Sequence, residues 1–159
     1  MHNTIENWVK KCGLEVYETA GTKLQDSTYG QIVDESMMIG REKLLLTLGI
    51  PAKHQNRPLN HNEVTVLDIA VKESWNGQCV EKQLTTAAEK VGHNPLYVIS
   101  DNASIMCKGI RGTGFKHQRD ISHSLAIHLE RTYKNEPDFQ GYIKLMADVK
   151  LKHNMNKIA

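Results

Sequence analysis

The stretch that decides the fold is Pro95-Leu96-Tyr97-Val98-Ile99-Ser100-Asp101-Asn102-Ala103-Ser104. Leu96 to Ser100 has the character of a strand buried on both faces, as in a central parallel strand. The run stops at an aspartate, and Asn102 and Ser104 follow as helix starters. An acid at the carboxyl end of a central strand opens toward the crevice where α/β sheets keep their sites.

The sequence before this strand supplies a crossover. Asn76 to Val91 predicts a helix, with Asn76 as cap, Val80, Leu84, Ala87, Ala88 and Val91 as its apolar stripe, and Gly92 as the residue that ends it. A strand at Val64–Val71 precedes it, with Leu67, Ile69 and Val71 expected on one face. Strand, helix, strand at this spacing makes a right-handed crossover, so the 95–100 strand is parallel to its partner.

Farther upstream, Gln31–Gly40 and residues 42–49 read as a hairpin closed at Gly40-Arg41, and Leu44, Leu46 and Leu48 share one face. A polar loop with Pro51 and Pro58 leads to the third strand and carries Lys53, His54 and Arg57. At the start of the chain, Ile5, Trp8, Val9 and Cys12 predict a short helix over residues 4–12 that ends at Gly13. Polar residues 18–30 read as a linker.

Downstream of Asp101, a short helix should run to about Arg111, and Gly109, Gly112 and Gly114 read as a flexible turn. A fifth short strand lies within Lys116–Ile121. Helices follow at about His123–Tyr133 and 138–153, separated by Pro137. Three antiparallel strands followed by crossover-linked parallel strands is the order of a ribonuclease H-like α/β fold with a mixed five-stranded sheet. The expected division is 1–28 as an N-terminal helix and linker, 29–134 as the core, and 135–159 as the start of a helical insertion or C-terminal helix.

At 159 residues the chain can bury roughly 70% of its unfolded surface. No apolar run approaches the ~20 residues of a membrane span. Cys12, Cys79 and Cys107 are widely spaced and odd in number, which points to reduced thiols and a cytoplasmic protein. The net charge of +2 is uneven: residues 1–107 sum to −3 and residues 108–159 to +5. A basic C-terminal third suits a polyanionic partner, or else a solvated lysine-rich helical face.

Asp34 and Asp101 both interrupt strands that otherwise look buried. With the first and fourth strands side by side, the two carboxylates would face each other and could hold hard divalent cations. Two such ions ~4 Å apart activate an attacking oxygen and stabilise a leaving one in phosphodiester chemistry. The competing reading is that Asp101 caps the next helix and Asp34 points to solvent. Asp120-Ile121-Ser122-His123 would place His123 in the first turn of a helix, with Asp120 just outside it. Trp75 reads as a cover for the core.

Gly30-Gln31-Ile32-Val33-Asp34-Glu35-Ser36, Tyr97-Val98-Ile99-Ser100-Asp101-Asn102-Ala103-Ser104 and Asp120-Ile121-Ser122-His123 resemble the catalytic core of DDE transposases. The first two segments are similar to the strands carrying the first and second metal-binding aspartates. The third is similar to the Cys/Asp-x-x-His element that many such enzymes carry, Mutator-like ones among them. Thr4–Lys11 resembles the end of the helix-turn-helix region that precedes these cores, and the likeness spans about residues 4–150.

The resemblance implies two Mg²⁺ or Mn²⁺ ions held by Asp34, Asp101 and a third acid, cleavage of a DNA strand, and attack of the freed 3′-hydroxyl on a target phosphodiester. It implies supporting roles for Asp120 and His123. In this family the third acid is a glutamate on a later helix, often after a helical insertion. Glu130 and Glu136 are the candidates within this chain, with a position beyond Ala159 as the alternative. DNA contacts are expected at Lys53, Arg57, Lys108 and Arg111, with DNA as partner and a homo-oligomeric assembly. Two further expectations stay open: a catalytically incomplete DNA-binding or oligomerising remnant, and a ribonuclease H-like nuclease complete within the chain.

Overall fold

A computed structural model describes residues 2–53 and 56–155. The elements run α1 (His2–Thr19), a 3₁₀ helix (Ala20–Leu24), β1 (Tyr29–Ile39), β2 (Glu42–Pro51), a 3₁₀ turn (His61–Glu63), β3 (Thr65–Lys72), α2 (Gly77–Val91), β4 (Val98–Ser100), α3 (Ser104–Thr113), β5 (His117–Arg119), α4 (Ile121–Tyr133) and α5 (Pro137–Met155). The five strands form one mixed sheet in the order β3-β2-β1-β4-β5. Pairs β1–β2 and β2–β3 are antiparallel, whereas β1–β4 and β4–β5 are parallel. This is the ribonuclease H-like layout expected from the element order. The chain separates into two compact units, residues 1–120 and 121–159.

One face of the sheet is closed by α2 and α3. Val33, Leu45 and Val98 from the strands pack with Val80 and Leu84 of α2, with Met106 and Ile110 of α3, and with Trp75. The Trp75 indole covers this core as expected, donates to the Lys43 carbonyl at 3.2 Å, and carries Lys72 over its ring at 5.4 Å. Asn76 caps α2 by accepting from Cys79 N–H at 2.9 Å, and Gly92 ends the helix in the left-handed region.

Several local expectations differ from the structure. α1 does not stop at Gly13 but continues to Thr19. Residues 20–24 are no linker, because Ala20, Gly21 and Leu24 are buried. The end of α1 is anchored by Tyr17, whose hydroxyl donates to Asp68 and whose ring lies 3.7 Å below Lys90 Nζ. Lys90 in turn bonds Asp68 at 3.0 Å. Burial pulls the Lys90 ammonium down, but Tyr17 and Asp68 outweigh that effect and hold its pKa above the ordinary lysine range.

On β3 the faces are reassigned by a bulge. Thr47 pairs with Asp68 but Leu48 pairs with Val66, so Leu67 is an extra residue. The parity changes there: Thr65 and Leu67 are buried, while Val66, Ile69 and Val71 are exposed. The fourth strand is shorter than expected, and Leu96 is exposed rather than buried. Gly109 and Gly112 lie inside α3, not in a turn. A Cβ on Gly109 would stand 2.5 Å from Val80 Cβ, so this glycine permits the close approach of α2 and α3. Gly114 is the actual breaker, with φ +72°.

Tyr29 shows how the floor of the fold is sealed. It is fully buried, donates to the His93 carbonyl at 3.0 Å and sits edge-on to the His93 ring. Burial pushes its phenol up to about 12, and a hydrogen bond from Gln31 opposes that only in part. The raised value means that the folded state prefers the protonated phenol. Its contribution is therefore complete below pH 10 and is lost as pH rises toward 12. Those two pH units correspond to about 3 kcal/mol. Denaturant titrations at pH 9, 10, 11 and 12 should show a steep loss of stability in the wild type and a shallower one in Tyr29→Phe.

Candidate functional site

Asp34 lies in the middle of β1, and Asp101 directly follows the last residue of β4. Gln31 pairs with Val98 and Ile32 with Ile99. Continued by two residues, this parallel register sets Asp34 beside Asp101. Alternation along β1 puts Asp34 on the face carrying Ile32, opposite the one covered by α2 and α3. Neighbouring strands run about 5 Å apart, so the two positions are separated by about one strand spacing.

Their surroundings differ. Asp34 is exposed, faces Leu46 across β1–β2, and has no hydrogen bond or ion pair among the described residues. Asp101 is half-buried, and its Oδ1 accepts from Ala103 N–H at 3.0 Å. Asp101 therefore supports the start of α3 as well as facing the strand end. Ala103, not Asn102 or Ser104, is the N-cap residue of α3 and contributes no side-chain bond.

The end of β4 is fixed by a set of contacts that the motif reading missed. Asp120 N–H donates to the Ser100 carbonyl at 2.9 Å. The Ser100 hydroxyl donates to the Asp101 carbonyl at 2.8 Å and lies 3.0 Å from Nε2 of His117. His117 stands on β5 opposite Val98. Burial and the neighbouring Arg119 push its pKa below the ordinary histidine value, while Asp101 pulls it back up. The only sequence signal was the polar alternation of His117 and Arg119 in a strand too short to show periodicity.

Of the other candidate residues, Asp120 belongs to the first unit and directly follows β5, and His123 lies in the first turn of α4 in the second unit. Glu130 on α4 and Glu136 between α4 and α5 are both exposed and both in the second unit. Among the described residues no three His, Cys, Asp or Glu side chains cluster as a metal cage. Mg²⁺ commonly uses only one or two carboxylates and completes its shell with substrate phosphates and water, so Asp34 and Asp101 are the residues that would hold such an ion.

Lys108 and Arg111 are exposed and three residues apart on α3, hence on one helical face. Lys53 is exposed, and His54 lies outside the described residues. Arg57 is already engaged: its guanidinium forks onto the Glu63 carboxylate at 2.8 and 2.7 Å, which pushes its pKa further up. Glu63 also accepts from Asn60 N–H, so Arg57 buttresses the loop before β3. All three cysteines are free thiols, and no helix among the described residues is long and apolar enough to cross a membrane.

No protein-family model matches the chain, and no curated protein matches it in sequence.

Asp34 and Asp101 should separate in their structural cost. Asp34→Asn changes an exposed group without a partner, so the midpoint of urea unfolding should move by no more than about 0.5 kcal/mol equivalent. Asp101→Ala removes the acceptor for Ala103 N–H and should cost about 1 kcal/mol.

Proposed function

We propose that this chain is the core of a DDE-type transposase, in which Asp34 and Asp101 hold Mg²⁺ or Mn²⁺ for cleavage and transfer of DNA strands. The observation that supports this reading is the β1–β4 register, Gln31 with Val98 and Ile32 with Ile99, which continued by two residues brings Asp34 level with Asp101. The 3-2-1-4-5 sheet and the order of the Asp34, Asp101 and Asp120–His123 segments support it.

Ions held by Asp34 and Asp101 would supply Lewis-acid polarisation of a phosphodiester and activation of an attacking oxygen. The chain's own groups supply placement. Asp34 is exposed and has no intramolecular partner among the described residues, so it gains an ion without first breaking a bond. Asp101 keeps Oδ1 on Ala103 N–H and offers its other oxygen. Lys108 and Arg111 present two cations from one face of α3 for the DNA backbone, each contact weakening with added salt. Asp120 and His123 keep their supporting roles. The third acid is Glu130, Glu136 or a residue outside this chain. The assembly acts in the cytoplasm as a homo-oligomer.

The charge distribution favours a second reading, a DNA-binding remnant without cleavage, because residues 108–159 sum to +5. A single set of measurements separates the two. Mn²⁺ titration followed by electron paramagnetic resonance should show binding that falls about tenfold in Asp34→Asn or Asp101→Asn, and supercoiled plasmid should be nicked in Mn²⁺ by the wild type only. Equal Mn²⁺ affinity in wild type and both variants would falsify the metal assignment. Salt-dependent DNA retardation with no nicking selects the remnant.

A further inference from the structure

The Ser100 hydroxyl has a single hydrogen, and it is directed to the Asp101 carbonyl at 2.8 Å. With that hydrogen on the Asp101 carbonyl, the same oxygen can accept from His117 in the tautomer that carries its proton on Nε2, at 3.0 Å. Ser100 is 2% exposed, so its side chain is shielded from bulk water. The His117 backbone is held independently by the β4–β5 register and by Val98 N–H donating to the Lys116 carbonyl at 2.8 Å. The ring is thus fixed at one end by a strand and at the other by a buried hydroxyl.

We propose that His117 is a positioning residue for Asp101. Its Nε2–H holds the Ser100 hydroxyl in the orientation that clamps the Asp101 carbonyl. On the other side of the same residue, Ala103 N–H clamps Oδ1. Carbonyl and carboxylate of Asp101 are held by separate donors, which sets the direction of the remaining carboxylate oxygen. Without the imidazole donor, the Ser100 hydroxyl can rotate away from the Asp101 carbonyl, and the peptide after Asp101 loses that restraint. This inference rests on the reading of Asp101 as a metal ligand.

The test compares His117→Phe, His117→Gln and Ser100→Ala with the wild type, well below each thermal midpoint. The readouts are Mn²⁺ affinity and the backbone amide resonances of Asp101, Asn102 and Ala103. His117→Phe should weaken Mn²⁺ binding about tenfold, the usual scale for partners that orient a metal ligand, and should shift all three amides. His117→Gln keeps a side-chain N–H donor and should restore both. Ser100→Ala removes the relay without adding bulk and should reproduce the His117→Phe losses, which keeps the question open to measurement if the phenylalanine variant does not fold. Long-range ¹H–¹⁵N spectra of the wild type should show the Nε2–H ring.

Unchanged Mn²⁺ affinity and unchanged amides in Ser100→Ala overturn the proposal, as does an Nδ1–H ring or a glutamine variant as impaired as phenylalanine. If the wild type binds no Mn²⁺, the metal reading of Asp34 and Asp101 falls. The amide shifts then decide the clamp alone: movement in Ser100→Ala supports it, and its absence overturns it.

Discussion

The parallel pairing of β1 with β4 is the contact on which the other parts depend. β1, β2 and β3 are neighbours in sequence and pair through short or moderate connections. β4 reaches β1 only after the α2 crossover, and it is three residues long. So short a strand has few ladder bonds to hold it in register. The pairing is reinforced at its entrance, where Leu96 N–H donates to the Tyr29 carbonyl at 2.8 Å and Gln31 N–H to the Tyr97 carbonyl at 2.9 Å. Gly30 makes this possible in a specific way. A Cβ there would stand 2.4 Å from the Tyr97 ring, so only glycine lets the ring lie across β1. A slip of one residue would turn Asp34 or Asp101 to the opposite face.

Polar groups inside the helix-covered layer add to that register. Gln83 projects from α2 and donates to the Leu45 carbonyl at 3.0 Å and to Thr47 Oγ1 at 3.3 Å. Gln31, on β1, reaches the Leu84 carbonyl at 3.4 Å. Apolar contacts alone would tolerate sliding of α2 along the sheet, since hydrophobic attraction has no direction. Buried amides do not tolerate it, because a displaced donor loses its acceptor where water is scarce. The crossover helix is thereby matched to β1 and β2, and β4 leaves it at a defined height.

Much of this was legible in the sequence because the informative signals were local. The stripe Val80, Leu84, Ala87, Ala88 and Val91, bracketed by Asn76 and Gly92, has the period and both caps of a helix, and it folds so. The element order carried the sheet topology, because a crossover of that length has one handedness. What stayed hidden was non-local. The bulge at Leu67 follows from how β3 meets Thr47 and Leu48, not from alternation within β3. Gly109 resembles a breaker until Val80 is placed against it. Tyr17 reads as a surface residue of a polar segment until Asp68 and Lys90, over fifty residues away, come alongside. At the site, the aspartates announced themselves as polar interruptions in apolar strands, whereas Ser100 and His117 did not, since serine and histidine are ordinary in a short strand.

Asp34 gains its meaning from comparison with other acids of the sheet. Glu35, one residue on, points to the opposite face and is held by Lys43 at 2.6 Å. Asp68 on β3 is held by Lys90 and Tyr17. Both follow the rule that a carboxylate taken partly out of water finds a cation or a donor. Asp34 has no partner among the described residues, and it is exposed. A carboxylate kept hydrated and unpaired gives no stability to the fold, so the fold does not explain its presence between Val33 and Glu35. Continued by two residues, the β1–β4 register brings Asp34 level with the half-buried Asp101. Under the proposed function, the pairing that fixes the register of β4 also fixes the spacing between these two acids.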